Sequence, residues 1–107
     1  MNSFSGNRYT TRGIVNTIPP TLQFLLWRLI DNMPNLKHPP ASRDYLQVFR
    51  LYNKRNSQGV IHTQEQPPYK DSYSFPLSMV GVEKPIVTKI FVIDDGDHCT
   101  MLLADEY

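Results

Sequence analysis

The order of apolar and polar residues along the chain predicts one amphipathic helix near the N-terminus. Over residues 21–33, apolar side chains recur at spacings of three and four, as they do on one face of an α-helix. These side chains are Leu22, Leu25, Leu26, Leu29, Ile30 and Met33. Pro19 and Pro20 precede the run, where proline suits the first helical turn, and Pro34 is expected to end the helix.

The remaining apolar runs are short or alternate with polar residues, and this pattern predicts β-strands. The predicted strands cover residues 8–15, 45–52, 60–66, 73–77, 86–93 and 98–103. Turn-type residues fill 53–59, and the proline-containing stretch 35–42 is expected to be a loop. Residues 1–7 are expected to form a flexible N-terminus, and residues 8–107 a single α+β domain with one main helix packed on an antiparallel sheet.

The C-terminal part of the chain predicts a β-hairpin, because Asp95-Gly96 lies between two apolar runs. With these two residues at the centre of the turn, the expected cross-strand pairs are Asp94–Asp97, Ile93–His98, Val92–Cys99 and Ile90–Met101. One face of the hairpin is then expected to lie under the helix; it carries Ile90, Val92, Cys99 and Met101. The other face carries Phe91, Ile93, His98, Thr100 and Leu102, and is too apolar to be simply solvated.

Composition narrows the classes of protein to consider. The formal net charge of +1 argues against a nucleic-acid binder that depends on backbone electrostatics. Cys99 is the only cysteine, so no internal disulfide can form, and a reducing cytoplasm is the expected location. No apolar run approaches the roughly 18 residues needed to span a bilayer, so no membrane association is expected.

The predicted hairpin turn is the one place where reactive groups are concentrated. Asp94, Asp95, Asp97 and His98 could bind a hard cation such as Mg²⁺, Ca²⁺ or Mn²⁺, which would make a metal-dependent enzyme the alternative function. However, neighbouring residues of a strand point to opposite faces, and aspartate favours turns for local reasons. His62, His98 and Cys99 lack the paired spacing of a zinc site. No catalytic residues and no cofactor are therefore expected.

Phe24 and Trp27 lie three residues apart on a helix face that differs from the leucine-rich face. A helix with apolar residues on two faces is either covered on both sides or presents one side to a partner. The candidate residues for binding a protein are Phe24 and Trp27 on this helix, together with Phe91 and His98 on the outer face of the hairpin. The bound protein is either a different protein or a second copy in a homodimer. The alternative is that the sheet or the aromatic stretch at 69–75 folds over the helix.

Several segments resemble a small family of uncharacterised proteins from Gram-positive bacteria and their phages and plasmids. They include TRGI at 11–14, DYLQVF at 44–49 and IFVIDDGDHCTMLL at 90–103. The resemblance implies a compact intracellular domain and transfers no catalytic residue. It also implies a regulator carried on a mobile element and directed at a host protein such as a defence nuclease.

Overall fold

Six strands in the described residues form one mainly antiparallel sheet. The computed structural model describes residues 3–33 and 43–107, so Pro34 and the predicted loop at 35–42 lie outside the described residues. The strands are β1 (Asn7–Thr10), β2 (Leu46–Lys54), β3 (Ser57–Gln64), β4 (Tyr69–Phe75), β5 (Thr88–Asp94) and β6 (His98–Leu103). Their order across the sheet is β1-β6-β5-β2-β3-β4, with β1 parallel to β6 and all other neighbours antiparallel.

The helices are α1 (Arg12–Thr17), α2 (Pro20–Asp31) and α3 (Leu77–Val80), and a short 3-10 turn follows β6 at Ala104–Glu106. The predicted main helix is α2, which starts at Pro20 as the proline rule indicates. Leu22, Leu26 and Ile30 on α2 are fully buried, as expected for its leucine-rich face.

One face of the sheet supplies the other half of the core. Alternate residues of β2 are buried, as are alternate residues of β5, and together with the buried helix residues they form a continuous apolar cluster. The strand residues in this cluster are Phe49, Leu51, Val60, Ile90, Val92, Cys99 and Met101. The predicted α+β fold class, with a helical layer on a mainly antiparallel sheet, is therefore confirmed.

The prediction of a strand over residues 8–15 is wrong in its second half, where the chain forms α1. Thr11 caps this helix, since its hydroxyl accepts a hydrogen bond from the Ile14 amide at 3.3 Å. The Glu106 carboxylate also accepts bonds from the Thr11 hydroxyl (2.6 Å) and the Gly13 amide (3.2 Å). A Cβ at Gly13 would lie 2.6 Å from that carboxylate, so a larger residue would displace the Glu106 side chain from these bonds.

The C-terminal hairpin forms, but its pairing differs from the predicted one by two residues. Asp94 pairs with Cys99 and Val92 with Met101, so the turn is longer than the predicted two residues. Gly96 adopts a φ of 101°, and its amide donates to the Asp94 carboxylate at 2.9 Å, which closes the longer turn. A shift of two residues leaves each side chain on its predicted face, because the side-chain period of a strand is two.

Other boundaries also differ from the prediction. β2 and β3 extend into the stretch 53–59 that was predicted as a turn, and β5 begins at Thr88 instead of residue 86. Phe4 belongs to the stretch assigned to a flexible N-terminus, yet it is fully buried in the core. The predicted strand at 73–77 starts earlier, at Tyr69, and ends at Phe75, because Pro76 precedes the first turn of α3.

The different exposure of two residues on α2 gives a stability test. Leu26→Ala should lower the free energy of unfolding by about 2–5 kcal/mol, because it leaves a cavity in the core. Phe24 is 61% exposed, so Phe24→Ala should cost less than about 1 kcal/mol. Urea unfolding followed by circular dichroism measures both values, and equal losses would contradict the assigned burial.

Candidate functional site

The acidic turn does not bring its four candidate ligands together. Asp94 points toward the core, is 6% exposed, and accepts hydrogen bonds from the amides of Phe4 (3.1 Å) and Gly96 (2.9 Å). The Cys99 thiol also lies 3.8 Å from this carboxylate. Asp94 thus joins the N-terminal segment to the hairpin, and its carboxylate oxygens are already engaged.

Asp95, Asp97 and His98 lie on the outside of the same turn. The His98 ring contacts both aspartates, with Nδ1 2.7 Å from the Asp97 carboxylate and Nε2 3.4 Å from that of Asp95. The hydrogen bond from His98 lowers the pKa of the exposed Asp97 carboxyl below its usual range. Within residues 3–33 and 43–107, no three His, Cys, Asp or Glu side chains are grouped as metal ligands would be.

His62 belongs to a buried polar chain rather than to a reactive site. Its Nε2 lies 2.6 Å from the Gln47 side-chain oxygen, and the Gln47 amide in turn donates to the Gln64 side chain at 2.6 Å. The His62 ring stacks on Phe49, with centroids 4.4 Å apart. Burial lowers the pKa of His62 to about 4, although the charge of Asp71 acts in the opposite direction.

The two aromatic residues of α2 do not share one exposed face. Trp27 is 8% exposed, and the Arg8 guanidinium lies over its ring at 4.7 Å from the centroid, held by an ion pair to Asp31. Trp27 is therefore covered within the chain, which corrects the expectation that it presents a binding surface beside Phe24. Phe24 is 61% exposed and has the Arg28 guanidinium 5.7 Å from its ring.

Phe24 lines an apolar groove between α2 and the edge of the sheet, here named the helix–strand groove. Its volume is about 530 Å³, and its apolar walls are Phe24, Leu25 and Leu29 of α2, Tyr73 and Phe75 of β4, and Met79 of α3. The Tyr73 and Phe75 rings lie nearly parallel with centroids 6.1 Å apart. Among the described residues that line the groove, Arg28 is the only charged one. The sequence predicted Phe24 as a surface residue and, as the alternative, the stretch 69–75 folded over the helix. Tyr73 and Phe75 of that stretch do line the groove beside Phe24, whereas the contribution of Met79 was not predicted.

The outer face of the hairpin is less open than the groove. Phe91 is half-buried, since the Tyr107 ring meets it edge-on at 5.6 Å and the Lys89 ammonium lies 5.4 Å from its centroid. His98 borders a shallow depression of about 440 Å³ together with Tyr9 and Asp97. Both residues lie on the sheet face opposite the helices, as predicted, in surroundings of mixed polarity.

These features define a two-layer α+β domain with an apolar groove beside the free edge of its sheet. Among residues 3–33 and 43–107, none of the helices combines the length and apolar character that a bilayer crossing requires. The chain belongs to a family described as "Staphylococcal protein of unknown function (DUF960)", whose sequence pattern matches residues 7–106. The resemblance to an uncharacterised Gram-positive family is thereby confirmed.

A solved structure shares this fold, and it is described as the "Crystal structure of the protein of unknown function from Enterococcus faecalis". It is 24% identical in sequence, covers 100% of this chain and 97% of its own, and superposes with a TM-score of 0.77. At this level of identity the comparison establishes the fold alone. A comparison with curated proteins gives no match.

The inward position of Asp94 gives a prediction about its role. Asp94→Ala should lower the free energy of unfolding by about 1–3 kcal/mol, because the buried amide of Phe4 and the turn amide of Gly96 lose their acceptor. Asp95→Ala removes an exposed carboxylate of the same turn and should change stability by less than about 0.5 kcal/mol. Chemical denaturation measures the free energy of unfolding of both variants. Equal losses in the two variants would show that Asp94 has no structural role.

The buried His62 gives a prediction about pH. Between about pH 6.5 and 4 the unfolded chain binds a proton at this ring while the folded protein does not. The free energy of unfolding should therefore fall as the pH is lowered through this range, by up to about 3 kcal/mol. His62→Gln should flatten the decline, while His98→Gln, a change at a half-buried ring on the outer face of the sheet, should retain it. Urea titrations at a series of pH values measure this, and an unchanged slope in His62→Gln would contradict the assignment.

Proposed function

We propose that this protein is a non-enzymatic protein-interaction module that acts through the helix–strand groove. The observation that carries the proposal is the exposure of large apolar side chains around one concave surface: Phe24 is 61% exposed and Met79 is 54% exposed. Contiguous exposed apolar surface is typical of sites that bind other proteins. Phe24 contributes little to the core, so its position on this surface is better explained by binding than by folding.

The chemistry of the groove also favours binding over catalysis. Its described walls provide aromatic and aliphatic contacts and one guanidinium, but no carboxylate, imidazole or thiol that could act as a general base or nucleophile. Aromatic anchors in a pocket, bordered by a cation, are common at the centre of protein interfaces. The half-buried Phe91 and His98 on the opposite face form a second, more polar candidate surface.

The expected partner is a protein. Because the sequence resembles proteins carried on phages and plasmids, the candidate partners are proteins of the bacterial host, including defence nucleases. A second copy of the chain is a further candidate partner. The inward position of Asp94 leaves Asp95, Asp97 and His98 on the outside of the turn, which disfavours the alternative of a metal-dependent enzyme.

Replacing Phe24 by aspartate tests the proposal, because a charge in the groove should prevent apolar contacts. Phe24→Asp should weaken partner binding at least about thirtyfold, the loss typical of a central anchor residue. Val15→Asp is the matched control, since Val15 is also 61% exposed but lies on α1, outside the groove. Affinity capture from a staphylococcal lysate identifies partners, and calorimetric titration and sedimentation then give the affinities.

Thermal unfolding of both variants verifies that each is folded. If Phe24→Asp binds every partner as tightly as Val15→Asp does, the groove is not the interaction surface and the proposal fails.

A further inference from the structure

Within residues 3–33 and 43–107, β4 is the outermost strand beside the groove, and part of its backbone groups face away from β3. β2 and β3 are joined by the two-residue turn Arg55-Asn56, whose positive φ angles of 48° and 65° are typical of a tight hairpin. In such a hairpin the odd-numbered residues of β3 bond to β2, so its even-numbered residues bond to β4. Those residues face the odd-numbered residues of β4. Lys70, Ser72 and Ser74 therefore direct their N–H and C=O groups to the free edge.

One contact agrees with this assignment. The Ser72 amide donates to the side-chain carboxylate of its neighbour Asp71 at 2.9 Å instead of to β3. Edge strands with free backbone groups are templates for a further strand, and proteins usually shorten, cover or charge them. β4 is seven residues long, which makes it a long edge by this standard, and it borders the apolar groove.

We infer that the groove and this edge bind a second copy of the chain, with the two β4 strands antiparallel and Ser72 opposite Ser72 of the second copy. This inference rests on the proposed function and names the partner at the same surface. A twofold axis perpendicular to the sheet relates the copies, so both α2 helices lie on the same face of the joined sheet. The two grooves then face each other, and Phe24 and Met79 of each copy lie in the shared apolar space.

The sequence of β4 favours the pairing centred on Ser72 over pairings centred on other residues of the strand. With Ser72 at the centre, Lys70 lies opposite Ser74 and all seven residues have a cross-strand neighbour. Tyr69 then lies opposite Phe75, which adds an aromatic pair at each end on the groove side. Neither Lys70 nor Asp71 lies directly opposite a like charge.

The other twofold registers each carry a defect. Centring the pair on Lys70 or Asp71 places like charges directly opposite each other, which is destabilising. Centring it on Tyr73 or Ser74 places an edge residue opposite Pro76, which has no N–H to donate. Of these registers, the Ser72-centred arrangement is therefore the one that avoids both like-charge pairs and a pairing with Pro76.

Sedimentation equilibrium of the purified full chain tests the inference. The wild-type protein should be a dimer, and Ser72→Pro should weaken dimerisation at least tenfold, because it removes the central edge N–H at a position where an edge strand tolerates proline. Ser72→Ala keeps that N–H and should dimerise like the wild type.

Two charge variants test the register itself. Ser74→Glu places a carboxylate opposite Lys70 of the other copy in two symmetric pairs and should tighten the dimer about fivefold, whereas Ser74→Lys should weaken it by a similar factor. As a check that does not depend on disruption, Ser72→Cys should form a disulfide-linked dimer with oxidised glutathione as the oxidant. Ser5→Cys, which introduces a cysteine at another exposed position, is the control and should not form a linked dimer. The native Cys99 is fully buried and should not react in either variant.

The outcomes separate this inference from the proposed function. A wild-type monomer at about 100 μM, or a dimer that Ser72→Pro leaves intact, overturns the second-copy inference. In either case, loss of a different protein partner in Phe24→Asp would still support the groove as an interaction surface. The inference is supported if Ser72→Pro weakens the dimer, Ser74→Glu tightens it and Ser74→Lys weakens it.

Discussion

The described helices cover one face of a six-stranded sheet, and the rest of the structure depends on which strands they cover. Six strands span about 24 Å at the usual spacing, and a single helix of about 10 Å diameter cannot cover that width. α1 packs near β6, and α2 and α3 lie together with α3 against β3. Strand β4 lies beyond this cover, so its aromatic side chains form one wall of a groove instead of part of a closed core.

The core face of the sheet also carries polar residues that are fully buried and hydrogen-bonded. Gln58 is fully buried, and its side chain bonds both the amide (2.8 Å) and the carbonyl (3.0 Å) of Ile86. Gln47 and His62 are hydrogen-bonded to each other, but the second ring nitrogen of His62, Nδ1, is buried without a partner among the described residues. The two bonds of Gln58 stabilise the segment that leads into β5. Phe24 and Met79 are the exposed large apolar side chains at the groove, whereas Val15, Val87 and Tyr107 are exposed elsewhere.

Local pattern was sufficient to predict some elements and not others. The spacing of leucines in α2 and the two faces of the last hairpin were predictable because they depend on periods that a few neighbouring residues define. α1 was missed because its cap involves Glu106, which lies far away in the sequence. The hairpin pairing was off by two residues because the Asp94 carboxylate closes a longer turn and also binds the Phe4 amide. Long-range hydrogen bonds of this kind leave no local periodicity.

The candidate site shows the same division between local and long-range information. Phe24 could be chosen from helix geometry, but the same geometry grouped it with Trp27, which Arg8 covers from β1. The alternative that the stretch 69–75 packs against the helix anticipated the wall from β4, but the open groove and the contribution of α3 could not be predicted, because they depend on which strand ends the sheet. Once that order is known, an apolar groove and a free strand edge lie side by side. A partner that adds a strand there can bury side chains in the groove and satisfy backbone groups at the edge in a single contact, which neither feature would achieve alone. The outer face, with Phe91 and His98, would remain accessible in such an assembly.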